Sequence, residues 1–357
     1  MPFNGNMLRL ARRIRKVSQG EIVTKLSHLM TQGTLSKIEH GRIQPSSEIV
    51  EAMADFLRFR VGFFYDESYL AQPPVSYHRK KASLLAGDLA AIHGKSEVLR
   101  LSLAKCLDAI ELETDGPRLP AIDLVQFDGD AKEAALAVRQ KLRIPRGPIA
   151  SVSKVLEDSG VIVCPFNFGS DAIDGFCQHS FGALPSMVFL NNSLPVDRMR
   201  FSLAHECGHL VCHDLPNPQQ EDEANQFASE FLMPSDDIYN DLRDLTLNKA
   251  MELKLYWGVS MQSLVMKAWS LGRIGDQRRK SLFIEMSRRG WRKREPVEAR
   301  GFVEKPALLE MIVRAHLNDL GYSRDELSEM FGIQEQELGK LFPLETKKPK
   351  LRIVSSN

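Results

Sequence analysis

The sequence has no long hydrophobic run, few cysteines and no excess of charge of either sign. None of its apolar stretches reaches the roughly 18 residues that a membrane-spanning helix needs, so we expect no membrane contact. The first residues have no apolar core of the kind that a signal peptide carries. Five cysteines in 357 residues do not make a disulfide framework. We therefore expect a cytoplasmic protein without structural disulfides.

The overall composition is that of an ordinary globular chain. Hydrophobic residues make up 43% of it, which excludes global disorder. The length favours two or three domains, and neither an internal repeat nor a low-complexity segment is present. With 47 Lys and Arg against 46 Asp and Glu, the net charge is +1. Taken alone, that balance argues against a nucleic-acid-binding protein.

The charge is distributed unevenly along the chain. Residues 1–45 hold eight basic side chains and only two acidic ones, so the remaining 312 residues are net acidic. A basic head is typical of a phosphate-binding surface. A solvated basic helix without a phosphate-binding role would have the same charge. The predicted local structure is therefore needed to distinguish these two interpretations.

Four short helices are predicted in this head and the residues that follow it, up to position 57. Apolar residues recur at helical spacing over 8–17, 19–26, 32–39 and 49–57. Thr31 and Ser46 are suited to cap the third and fourth helices, and Gly41 to end the third. Short helices joined by tight turns at this spacing predict a helix-turn-helix bundle.

Two stretches of the N-terminal region carry a family resemblance: MLRLARRIRKVSQGEIVTKL and TQGTLSKIEHGRIQPSSEIVEAMADFL. They resemble the lambda-repressor-like (XRE) DNA-binding family. The resemblance covers about residues 6–66, and we assign 1–66 to this domain. The turn between Leu26 and Thr31 is about two residues longer than is usual in the family. The alternative is a bundle that serves only for protein docking or dimerisation.

The resemblance implies double-stranded DNA as a partner and makes a homodimer plausible, since two half-sites suit two-fold symmetry. It implies that Gln32, Thr34 and Lys37 face the major groove. Gln32 would then read adenine, and Lys37 a guanine or a phosphate. Gln19, at the start of the second helix, would touch a phosphate.

A linker with connecting helices is expected over 67–120. Two prolines and a basic cluster mark 67–82 as a boundary. Residues 83–112 have helical spacing, with Gly94 as a point where they could divide into two helices. A second break, DGPRLP, follows at 115–120.

The segment FSLAHECGH contains the pattern His-Glu-x-x-His. On a helix His205 and His209 lie one turn apart on one face, where two imidazoles can bind one Zn²⁺. Glu206 lies about 100° round the axis, where it can take a proton from water instead of binding the metal. A hydrogen-bonded polar cluster without metal is the alternative.

A catalytic zinc needs a third protein ligand. The next predicted helix, EDEANQFASEFLMP, offers Glu221 and Glu223. Glu221 shares the small-residue face with Ala224 and Ala228, which lets it approach a neighbouring helix. We choose Glu221, with Glu223 as the reserve.

These segments, together with LRIPRGPIASVSKVLEDSGVIV, IDGF and PSMVFLNNSLPVDRMR, resemble the ImmA/IrrE family of zinc metallopeptidases. Coverage is about residues 125–240, and we assign 121–245 to this domain. The resemblance implies that His205, His209 and Glu221 are the zinc ligands and Glu206 the general base. It also suggests that the strand SMVFLN (186–191) is an edge strand that holds substrate by β-augmentation.

Residues 246–357 are expected to be helical, with small helix-turn-helix-like units and a basic, disordered tail. They could serve as scaffold, as a dimer contact, as a sensor or as a nucleic-acid surface. The expected fold is mainly α with a small β-sheet: a helix-turn-helix bundle, a zincin-like peptidase domain and a helical C-terminal region.

The resemblances imply a regulatory zinc endopeptidase that binds DNA and cleaves a repressor or antitoxin-like partner in stress or mobile-element control. Two alternatives stay open. One is a transcriptional regulator whose zinc domain senses a ligand without proteolysis. The other is a toxin–antitoxin component.

Overall fold

A computed structural model describes residues 1–67, 76–77, 85–170 and 172–342, with the backbone alone at 76–77. Across these ranges the chain forms 16 α-helices and one small sheet. It is therefore mainly α with a small β-sheet, as predicted. The predicted tail, and most of the connector with its two prolines, lie outside the described ranges. None of the helices in the described part combines the length and apolar character that crossing a bilayer requires.

The chain divides into two compact units, each built from more than one stretch of sequence. The first takes residues 1–69, 93–106 and 309–357, and the second 70–92 and 107–308. The helices predicted after residue 246 thus fall into both units. The predicted domain boundaries at 66, 120 and 245 stay predictions.

The first unit begins with the four predicted helices. They are α1 (Gly5–Arg15), α2 (Gln19–Lys25), α3 (Gln32–Glu39) and α4 (Ser47–Leu57). Thr31 and Ser46 accept hydrogen bonds from the first turns of α3 and α4, as the sequence predicts, because their side-chain oxygens satisfy backbone N–H groups that lack a helical partner. Buried Glu39 accepts a hydrogen bond from the Arg12 Nε at 2.7 Å and ties α3 to α1.

Helix α5 (Ala86–Leu107) is continuous, so Gly94 does not divide it. A side chain at Gly94 would bring a Cβ within 2.8 Å of Ile14. The glycine therefore serves close packing against α1 instead of ending a helix. Only residues 93–106 of α5 belong to the first unit.

Three more helices follow late in the chain: α14 (Leu308–Asn318), α15 (Arg324–Phe331) and α16 (Glu335–Leu341). Within the first unit, residues of α15, of α16 and of the turn between them contact the N-terminal segment. Phe59 forms an antiparallel bridge with Ile333, and Arg15 pairs with Glu337 at 3.1 Å. The bundle thus shares its core with residues more than 250 positions away.

The second unit contains the sheet and the remaining helices. The sheet has the order β1-β3-β4-β2, with β1 (Ser76–Tyr77), β2 (Ile162–Phe166), β3 (Gly175–Gln178) and β4 (Met187–Asn191). Strand β4 pairs with β2 in parallel and with β3 in antiparallel. The expectation that 186–191 is an edge strand is therefore wrong, because both of its edges are hydrogen-bonded and no substrate can be added there.

Over its described residues, the second unit also contains eight further helices. They are α6 (Ala131–Lys141), α7 (Val152–Asp158), α8 (Val196–Cys212), α9 (Gln220–Leu232), α10 (Ser235–Ile238), α11 (Leu247–Trp257), α12 (Met261–Ser270) and α13 (Asp276–Arg288). Of these, α7 and α8 contact the sheet. Helix α8 packs against α9 on one side and against β3 and β4 on the other. At Gly208 an added Cβ would lie 3.2 Å from the Phe227 ring. The missing side chain lets α8 and α9 approach closely, and this approach positions the site described next.

Candidate metal centre

Two histidines of α8 lie one turn apart and face the same side of the helix. His205 and His209 are buried, and their Nε2 atoms lie 3.1 Å apart. Burial lowers the pKa of His209 to about 4, so its imidazole is neutral at pH 7. A neutral imidazole keeps the lone pair that a metal ligand needs.

Helix α9 brings a carboxylate to these two nitrogens. Glu221, in its first turn, places its carboxylate oxygens 3.4 Å from Nε2 of His209 and 3.6 Å from Nε2 of His205. The three ligand atoms lie within 4.8 Å of one another. Contact with the imidazoles lowers the pKa of Glu221 well below its ordinary value, so the side chain is an anionic donor.

This donor set suits zinc. Two imidazole nitrogens and one carboxylate oxygen are the ligands that a catalytic zinc site takes from the protein, with a fourth position for water. Oε2 of Glu221 is buried and has no hydrogen-bond partner among the described residues. A buried acceptor without a partner is costly, and a bound cation would satisfy it.

Glu206, on the same helix as the two histidines, lies beside this cluster but is not one of its three candidate ligands. Its Oε2 is buried and also lacks a hydrogen-bond partner in the described part of the chain, while its other oxygen lies close to Gly175 of β3. Burial raises the pKa of the carboxyl to about 7, and a hydrogen bond from the Cys177 thiol opposes that rise. A carboxylate with such a pKa can exchange a proton near neutral pH.

His213 and Glu223 form a second layer behind His209. Nδ1 of His213 lies 3.0 Å from Nδ1 of His209, and Nε2 of His213 lies 2.9 Å from the Glu223 carboxylate. Groups of this kind orient a ligand imidazole. Glu223, the reserve ligand, thus contacts His213 and lies outside the group of three donors.

Sequence reasoning missed two neighbours of the site. Cys177 on β3 donates to Glu206, and Asp174, just before β3, pairs with Arg198 of α8. Asp174 lies within the IDGF segment of the family resemblance, which assigns it no role, and Cys177 follows that segment directly. Their positions depend on how the sheet packs against α8, and nothing in the local sequence around DGFCQ indicates that packing.

The four predicted DNA contacts lie in the first unit around α2 and α3. Gln32 and Lys37 are exposed. The hydroxyl of Thr34 lies 3.0 Å from that of Thr31. The Gln19 amide donates to Glu39 at 2.6 Å, so its side chain is held against α3.

The comparisons with known proteins match two regions of the chain. Residues 156–268 match the M78 peptidase family, described as the IrrE N-terminal-like domain. Residues 5–61 match a helix-turn-helix domain. No curated protein matches the chain significantly. The first match includes α8 and α9 with all four residues of the candidate centre, and the second includes α1 to α4.

Proposed function

The chain joins a helix-turn-helix domain to an IrrE N-terminal-like domain of the M78 peptidases, and we propose that it is a DNA-binding zinc endopeptidase that acts as a regulatory switch. Its substrate in this proposal is a repressor or antitoxin-like protein, and it acts in the cytoplasm. The observation that carries the proposal is the convergence of His205, His209 and Glu221 beside a buried carboxylate, Glu206, whose Oε2 has no partner among the described residues.

The proposed chemistry assigns a separate task to each side chain. His205, His209 and Glu221 would hold Zn²⁺, which when bound supplies a Lewis acid for the scissile carbonyl and for water. Glu206 accepts the proton of the attacking water at Oε2 and delivers it to the leaving amine. Cys177 donates a hydrogen bond to that carboxylate, and His213 with Glu223 fixes the His209 ring.

Glu206→Gln tests this assignment. The amide has the same shape and cannot accept the proton, so we expect zinc binding to persist and cleavage to fall by at least about 100-fold, the lower range for general-base catalysis. The measurement is mass spectrometry of proteome-derived peptides after incubation with the zinc-loaded full chain. Zinc content is measured on the same samples.

Asp222→Asn is the matched control for this variant. Asp222 is an exposed acid on α9, and its change to an amide should leave both readouts unaltered. Equal cleavage by the Glu206→Gln chain and the unaltered chain would contradict the mechanism. If neither chain cuts any peptide while zinc binds to both, the alternative of a ligand sensor without proteolysis would replace it.

The DNA-binding part of the proposal rests on the match to a helix-turn-helix domain and on the exposure of Gln32 and Lys37 on α3. Lys37 and Gln32 on α3 are available to a major groove. Gln19 and Thr34 stay predicted contacts, because their side chains are engaged within the bundle. A dimer on two half-sites belongs to the same proposal.

A further inference from the structure

A segment beyond the matched peptidase region forms one wall of the cleft at the candidate metal centre. Residues 291–304, which we term the strap, follow α13 and have no regular secondary structure. Part of the strap lines a cavity of about 1260 Å³ that also contains His205 and Glu206. The strap therefore lies where a bound polypeptide would extend from the reacting centre.

One buried ion pair anchors the first part of the strap. The Glu295 carboxylate accepts from Nζ of Lys254 at 2.7 Å and from the backbone N–H of Met261 at 3.0 Å. The same Lys254 ammonium pairs with Asp197 at the start of α8. Both Lys254 and Asp197 are buried, so the strap is fixed to the helix that carries the histidines.

A second buried ion pair anchors the end of the strap. Glu304 and Arg200 of α8 lie 2.7 Å apart, and both side chains are fully buried. Glu304 also accepts from the backbone N–H of Ser153 at 2.7 Å, in the first turn of α7. The Arg200 guanidinium lies 4.3 Å from the centre of the Phe302 ring. Paired buried charges such as these are costly to break, so both anchor points of the strap are firmly held.

Between these anchors the strap presents positive charge to the cavity. Four exposed basic residues line it: Arg292, Lys293, Arg294 and Arg300. Asp174 pairs with Arg198, and Lys254 pairs with both Asp197 and Glu295, which leaves one negative charge at that buried cluster. Within the described residues, none of the four basic strap residues has an ion-pair partner, and Arg292 lies 5.0 Å from the centre of the Phe283 ring. Among the acidic residues that line the cavity, Glu298 is the exposed one.

We propose that the cleft selects a polypeptide with several Asp or Glu side chains near the scissile bond, and that the strap binds those carboxylates. Arginine and lysine on a segment held at both ends recognise carboxylates by charge-assisted hydrogen bonds and attract acidic segments from a distance. The proposal rests on the proposed peptidase function. It names the class of substrate, and it places specificity in residues outside the matched domain.

Binding of short peptides tests the proposal separately from catalysis. The probes are two fluorescein-labelled octapeptides that differ only in carrying four Glu or four Gln, measured by anisotropy with the full-length Glu206→Gln chain. We expect the Glu peptide to bind about tenfold more tightly, as two or three partly exposed ion pairs would provide. The double variant K293E/R294E should remove most of that difference.

A matched control distinguishes an effect of the strap residues on peptide binding from an effect of the protein's net charge. K280E/R288E changes the charge by the same amount at two exposed positions of α13 that do not line the cavity, and it should keep the preference. Thermal unfolding of both double variants should match the parent, because all four side chains are exposed. Equal loss in both double variants would overturn the proposal, as would equal binding of the two peptides.

Two further outcomes are decisive. If the oligonucleotide dT12 binds the strap more tightly than the Glu peptide, and K293E/R294E abolishes that binding, the strap is a nucleic-acid surface and the proposal is wrong. If the Glu peptide binds through the strap but the unaltered zinc-loaded chain cuts no acidic peptide, the strap still binds acidic polypeptides, but the proposed peptidase function fails and with it the assignment of a cleavage substrate.

Discussion

Glu221 and Glu223 lie two positions apart on α9 but face different partners. Glu221 contacts the two histidines, whereas Glu223 contacts His213 behind them. The 100° advance per residue explains the separation, because two positions turn a side chain through about 200°. A helix can therefore supply a ligand and its support from neighbouring residues.

This difference predicts unequal losses of zinc affinity. Glu221→Gln removes a proposed ligand and should abolish stoichiometric zinc binding at micromolar metal. Glu223→Gln disturbs only the support of His209, and we expect a loss of about 10- to 100-fold. Competition with a chromogenic chelator measures both. The opposite order of losses would make Glu223 the third ligand.

Cys177 carries a second prediction at the residue scale. Its thiol donates to the Glu206 carboxylate, so Cys177→Ala should lower kcat by about two- to tenfold, the worth of one hydrogen bond, while zinc content stays unchanged. Cys177→Ser keeps a donor and should recover much of the loss. Cys164→Ala, at another buried cysteine in the sheet, is the control, and an equal drop in kcat there would mean that the effect is general packing.

The sequence predicts the α8 pair of histidines because helical geometry alone brings positions 205 and 209 together. It narrows the third ligand to two acids for the same reason. It does not predict Cys177 or Asp174, since their proximity to α8 arises from the packing of a sheet against a helix. Contacts within one helix follow from its period, and contacts between elements do not.

The approach of α8 to α9 is the central feature at the scale of elements. Glu221 can reach the histidines because Gly208 allows the Phe227 ring to lie against the α8 backbone. Interiors are packed densely enough that one added methyl group is felt. The packing of the two helices at Gly208 thus sets the geometry of the site, although Gly208 itself takes no part in metal binding or proton transfer.

Gly208→Ala should therefore weaken the metal site. The new methyl group would press on Phe227 and shift α9, and we expect a net destabilisation of about 1 kcal/mol after the better helix propensity of alanine is included. Zinc affinity should fall several-fold, measured by the same chelator competition. Gly20→Ala, on exposed α2, tests for a general effect of such a change. Unchanged zinc affinity in Gly208→Ala would show that α9 accommodates the methyl group.

Local signals predict the helices well and the sheet less well. Thr31 and Ser46 cap α3 and α4 because a hydroxyl before a helix satisfies free N–H groups. Strand β4 is buried on both faces and paired on both edges, and an apolar run does not reveal its edge pairing. The prediction of an edge strand fails for this reason, and the expected break at Gly94 fails because a glycine also serves close packing.

At the scale of the whole molecule, the near-zero net charge hides its distribution. The basic head and the strap are both positive, and acids elsewhere balance them. Counting the charged residues segment by segment in the sequence predicts the first of these surfaces, the basic head. The second becomes visible only in the structure, where Glu295 and Glu304 turn inward and leave the basic residues of the strap exposed.

The order of residues along the chain also does not show which segments belong to the same compact unit. Arg15 pairs with Glu337, and Phe59 with Ile333, although hundreds of residues separate them. No periodic pattern predicts such pairings. Removing residues 1–66 to test DNA binding would also remove these partners of Ile333 and Glu337, so point variants are the cleaner test.

Lys37→Ala and Gln32→Ala should weaken DNA binding in different ways. Loss of Lys37 should lower affinity for all sequences and reduce the salt dependence by about one phosphate contact, if Lys37 meets the backbone. Loss of Gln32 should relax the preference at one base pair by about 1–3 kcal/mol. Electrophoretic mobility shifts at several salt concentrations, on promoter DNA and scrambled DNA, measure both effects.

Lys280→Ala is the control for these DNA variants. It removes one exposed basic residue from the other unit and should leave binding unaltered. If it weakens binding as much as Lys37→Ala, the helix-turn-helix bundle is not the DNA-binding surface, and the basic helices of the second unit take its place.

The most direct test of a DNA-binding zinc peptidase is cleavage of a candidate substrate, a helix-turn-helix repressor from the same genome. The intact mass of that repressor is measured after incubation with the full chain, with zinc or with a chelator. We predict a defined cut that requires zinc and disappears with Glu206→Gln. A repressor that stays intact with the zinc-loaded chain, or is cut equally by the Glu206→Gln variant, would contradict the account.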